Sequence, residues 1–147
     1  MGKHVTLLRT RGGMPQPIEP EELVSALQRL GSPYVLAPDA RADARLVDPT
    51  APDGVDVIFV QAGELWASDP GSALLATMIG LARELGGRVR DDSFATYRSV
   101  DETYLHPDDA RLLARLRRPG QRRRGVSAVV PICVGVLLGI VVLLLRR

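Results

Sequence analysis

Six carboxylates and three aromatic rings fall within 19 residues, DDSFATYRSVDETYLHPDD, between Asp91 and Asp109 of a 147-residue chain. Paired acids such as Asp91/Asp92, Asp101/Glu102 and Asp108/Asp109 are the residue types that hold Mg²⁺ or Ca²⁺. A cation loop, however, needs oxygen ligands at alternating positions and a turning glycine, and this stretch has neither. Two readings remain. One is a solvated acidic rim in which Asp108 and Asp109 serve the start of a helix. The other is an acidic surface that docks a basic protein partner, with tyrosines as anchors and charge complementarity speeding association. Asp91, Asp92, Tyr97, Asp101, Glu102 and Tyr104 are the candidate contacts on that second reading.

Other chemistry is sparse. His4 and His106 are the only histidines, and neither has a partner at metal-ligand spacing. The single cysteine, Cys133, lies in an apolar run, so no disulfide or thiolate framework is expected. "RTRGG" (9–13) has the look of a phosphate loop, but Met14, Pro15, Gln16 and Pro17 separate it from the next helix and no Lys-Ser/Thr follows. A nucleophile elbow and a Ser-His-Asp set are also missing. No metal, cofactor or catalytic residue is assigned, and the expectation is a protein that is not an enzyme. The alternative is a membrane-associated enzyme or small-ligand sensor using a cleft on a sheet.

The elements that would position these residues follow from local patterns. "HVTLLR" (4–9) predicts a strand and "TRGGMPQP" a turn. Residues 20–30 predict a helix: Pro20 suits its first position, and Leu23, Leu27 and Leu30 recur along one face before Gly31. Short strands are expected at 33–38 and 44–47. "VDVIFVQ" (55–61), almost continuously apolar, predicts a strand buried on both faces, with "ELWAS" (64–68) returning beside it as a hairpin and Trp66 in core or sheet packing. "DPGSALLATMIGLARELGG" predicts a helix capped by Asp69, with Leu74, Met78, Leu81 and Leu85 inward. Strands at 88–92 and 95–100 and a helix from Pro107 complete the head, His106 being a candidate cap. The order β-α-β-β-α-β with extra strands implies an α+β, ferredoxin-like head.

Charge divides the chain. Residues 1–110 hold ten basic and 17 acidic residues, a balance of −7; residues 111–147 hold nine arginines and no acid. The overall hydrophobic content of 46% is concentrated at the same end. Residues 126–145 carry no charge, and 14 of these 20 are Val, Ile or Leu. As a helix they would extend about 30 Å, the thickness of a bilayer's hydrocarbon core. Seven arginines lie in 111–124, with Arg117, Arg118, Arg122, Arg123 and Arg124 nearest the run; only Arg146 and Arg147 lie beyond it. The positive-inside rule then keeps the head in the cytoplasm, giving a single-pass, tail-anchored protein of the inner (cell) membrane, N-terminus cytoplasmic. One lysine against 18 arginines fits a GC-rich bacterial genome. The arginines are assigned to the lipid surface rather than to nucleic acid, because they abut an anionic membrane and 105–147 contains no aromatic residue to stack on a base. Gly135 and Gly139, four apart, form the small-xxx-small pattern that lets two membrane helices approach closely, so a homodimer through them is a further expectation.

The expected organisation is therefore an acidic head (1–106), a helix with an Arg-rich juxtamembrane linker (107–125) and a transmembrane helix (126–145). Within the head, the phrases "GELW" and "LGGRVRDD…TY" in residues 63–97 resemble small bacterial α+β proteins of poorly defined role, some of them immunity proteins cognate to toxins. That resemblance implies a compact head that binds a protein rather than a substrate.

Overall fold

The computed structural model describes residues 3–52 and 56–116. The chain divides into two compact units at Arg111, inside its last described helix. The first unit is α+β. In chain order the described elements are β1 (His4–Leu8), β2 (Thr10–Arg11), β3 (Met14–Pro15), α1 (Pro20–Leu30), β4 (Val35–Ala37), β5 (Ala44–Val47), β6 (Ile58–Gln61), β7 (Glu64–Ser68), α2 (Ser72–Glu84), β8 (Arg88–Asp91), β9 (Thr96–Tyr97), β10 (Thr103–Tyr104) and α3 (Pro107–Leu116), the last crossing the boundary between the units.

Eight strands form one antiparallel sheet in the order β10-β9-β8-β1-β7-β6-β5-β4, while β2 and β3 pair separately as a small hairpin. Strand alternation gives the sheet two chemically different faces. Val5, Leu7, Leu46, Ile58, Val60, Leu65, Ala67 and Val89 share the first face and are buried in one cluster with Leu23, Ala26 and Leu27 of α1 and Leu74, Met78 and Leu81 of α2. The amphipathic periods of both helices explain this packing, since each lays its leucine stripe on the sheet. Leu30, the last of the α1 stripe, remains partly exposed and lies over Gly80 of α2.

Three local expectations need correction. Asp69 does not cap α2: its backbone is left-handed, its carboxylate accepts the Lys3 N–H, and Gly71 occupies the cap position. The glycine-rich turn at 10–15 is itself a hairpin, because Gly12 and Gly13 both adopt positive φ and make the tight two-residue turn that a right-twisted ribbon requires. β6 is also not buried on both faces. Ile58 and Val60 enter the core, whereas Phe59, on the second face, is only half-buried.

Candidate functional site

The second face is where the polar chemistry collects. One cross-strand row runs through all eight strands of the sheet: Tyr104, Thr96, Arg90, Thr6, Trp66, Phe59, Arg45 and Ala37 are successive register partners. At its middle Trp66 stacks on Phe59, with ring centroids 4.5 Å apart, and His4 lies 5.9 Å from Trp66. Such cross-strand aromatic contacts stabilise a sheet beyond the area they bury.

At the β8–β9 end of this face the start of α3 is pinned by charge. Asp109, only 1% exposed, accepts hydrogen bonds from Arg88 Nε and Nη2 at 2.8 Å each, one to each carboxylate oxygen. Arg90 Nη1 binds the same carboxylate, and Thr96 Oγ1, fully buried, stands 3.5 Å from it. The remaining Arg88 nitrogen, Nη1, donates to Thr10 Oγ1 at 2.7 Å, and that hydroxyl donates to Asp108 at 2.6 Å. Arg90 also lies over the Phe94 ring, 4.7 Å from its centroid. Burial pushes the Asp109 carboxyl up, but the Arg88 and Arg90 guanidiniums outweigh it and hold the group below the usual carboxylate range. Asp108 is lowered as well, first by the Thr10 hydroxyl. His106 caps the helix, its Nδ1 accepting the Asp108 N–H.

The stretch 91–109 thus splits by role. Asp91 is turned inward: it pairs with Lys3 at 3.1 Å and accepts from the Ser93 hydroxyl and the Ser93 and Ala95 amides. Tyr97 packs against the main core under the Lys3 ammonium. Asp92, Asp101, Glu102 and Tyr104 are exposed, Asp92 accepting the His4 N–H and Glu102 pairing with Arg98, which also lies over Tyr104. Asp109 is not part of a solvated rim. Sequence reasoning missed Arg88 and Arg90 altogether, although their i, i+2 spacing in a strand places both guanidiniums on one face.

A cleft of about 420 Å³ opens at one end of the sheet between the β4–β5 loop, the start of β6 and the β7–α2 junction. Asp39, Arg45, Asp56, Phe59 and Asp69 line it. Among the described residues no group of three or more His, Cys, Asp or Glu side chains is placed to hold a metal ion, and no helix is long and apolar enough to cross a membrane. Arg117, Arg118, Arg122, Arg123, Arg124, Gly135 and Gly139 lie outside the described residues, as does the whole of 126–145. Comparison with protein-family models, curated proteins and solved structures finds no match to this chain.

Proposed function

We propose that this chain is a membrane-anchored protein whose acidic, ferredoxin-like head binds a protein partner at the cytoplasmic face, as an adaptor or in the manner of an immunity protein. The carrying observation is the division of charge: a −7 head, an arginine cluster, then 20 uncharged residues long enough to span a bilayer. The ferredoxin-like reading is supported by the central strand order β8-β1-β7-β6. Counted among the four strands of the two interleaved β-α-β units, that is fourth, first, third, second. The β4–β5 pair and the β9–β10 pair extend this centre at its two edges. The partner surface is centred on the exposed Asp92, Asp101, Glu102 and Tyr104, with the membrane span pairing in a homodimer through Gly135 and Gly139.

Fractionation tests the anchor. The protein should stay in the membrane pellet through alkaline extraction, and protease added outside intact cells should leave the head whole; release into the supernatant overturns the reading. Replacing Asp92, Asp101 and Glu102 with Ala should then slow association with a partner that co-purifies with the intact protein from detergent-solubilised membranes. Undiminished binding removes this surface.

A second reading, a membrane-associated enzyme or small-ligand sensor, is favoured by the cleft between Arg45, Phe59 and Asp69, where both charge signs meet an aromatic ring. A metabolite that co-purifies with the protein and is lost on Arg45→Ala substitution would select it.

A further inference from the structure

Stability alone is a poor reason for the Arg88–Arg90–Asp109 cluster. Removing ions from water costs several kcal/mol each, and well-packed apolar side chains of similar shape often match or exceed a buried ion pair. What the cluster provides is geometry. Arg88 presents two parallel N–H groups to two oxygens of one group, the bidentate fork that matches carboxylate and phosphate alike. Arg90 adds a second cation, and the Thr96 and Thr10 hydroxyls lie beside it. All four belong to the sheet or the small hairpin. Everything anionic comes from α3: Asp109 binds the guanidiniums directly, and Asp108 reaches Arg88 through the Thr10 hydroxyl. Two carboxylates opposite two guanidiniums carry the charge of one phosphate dianion. A helix needs no such burial to benefit from acids in its first turn, since exposed ones suffice.

We infer that the second face of the sheet carries an oxyanion site, built by Arg88, Arg90, Thr96 and Thr10, that α3 fills in cis with Asp109 and Asp108 and that a dianionic phosphate group occupies when those carboxylates withdraw. Ligand and helix compete for one place, so occupancy by phosphate releases the first turn of α3, the element that leads towards the arginine cluster. The inference does not depend on the membrane reading.

The test uses the full chain in detergent with inorganic phosphate, ionic strength being matched with chloride. Wild-type protein should show little phosphate-dependent change in melting temperature, because its site is already filled. D108N/D109N should melt lower and recover by about 5 °C in about 20 mM phosphate. Adding R88Q to that variant should abolish the recovery. A response of D108N/D109N no larger than that of wild type both in inorganic phosphate and in mixed micelles containing phosphatidate, or one that survives R88Q, overturns the inference. A response confined to mixed micelles containing phosphatidate would assign the ligand to a lipid headgroup, and a response to inorganic phosphate alone to a soluble molecule.

Should D108N/D109N fail to fold, hydrogen exchange on the wild-type chain decides instead. The Ala110 amide, which bonds the His106 carbonyl in the first turn of α3, should exchange about twofold faster or more in phosphate than in matched chloride. An unchanged rate overturns the competition.

Discussion

Asp109 is the residue on which the second face turns. Its carboxylate meets Arg88 and Arg90 with almost no contact with water. Asp109→Ala leaves two guanidiniums without their counter-ion, and breaking a buried pair in this way costs about 3–5 kcal/mol. Denaturant unfolding of the purified protein should show that loss, whereas Asp101→Asn, at an exposed site, should stay within about 0.5 kcal/mol of wild type. The sign of the pH dependence follows from the same group. The Asp109 and Asp91 carboxyls are held below the ordinary value of 3.8, so in acid the unfolded chain binds protons first. The stability they contribute is present above about pH 4 and drains away as the pH falls through their folded-state values. Melting temperatures measured from pH 6 downward should therefore drop steeply below about pH 4, and Asp109→Asn should flatten the drop.

Among the elements, the two hairpins differ in the room their turn glycines have for a side chain. The β6–β7 turn is made by Ala62 and Gly63, both at positive φ. Gly63 also receives the chain leading into α1: the Ile18 N–H donates to its carbonyl at 2.9 Å, and a Cβ on Gly63 would stand 2.5 Å from the Pro17 Cβ. Gly63→Ala therefore forces Pro17 and Ile18 away from the sheet and should destabilise the protein by about 1–3 kcal/mol in thermal or denaturant unfolding, while Gly12→Ala, with open space around it, should cost less. The helices were legible from their leucine spacing, down to the bounds of α1, because amphipathic period is a local property. Asp69 was misread for an equally physical reason. Asp before Pro carries every local mark of a cap, but the amide of Lys3, 66 positions away, claims its carboxylate.

For the molecule as a whole, charge is divided along the sequence: residues 1–110 carry a balance of −7, and residues 111–147 hold nine arginines, no acid and the 20-residue uncharged run. If residues 126–145 lie in lipid, replacing both Gly135 and Gly139 with Leu should abolish self-association in a membrane two-hybrid reporter while leaving membrane extraction behaviour unchanged, since the span grows only more apolar. Unchanged association would remove the homodimer from the account. The head contributes differently. The apolar side chains of its first face pack in its own core, while on the second face Trp66 and Phe59 remain half-buried and the arginines of β8 hold α3.

Order along the chain was enough to place both long helices and most strands, to separate the charges and to mark the apolar run, because turn chemistry, amphipathic period and charge density are written over a few neighbouring residues. It could not reveal that Asp109 would be buried between Arg88 and Arg90, or that Asp91 would turn inward while Asp92 stayed in water. Those outcomes depend on which strands become neighbours and in what register. A one-residue slip in β8 would carry both arginines to the opposite face and leave the aspartate of α3 without a partner. The partner of a buried charge is therefore decided by pairing across the sheet, a long-range event that no local pattern encodes.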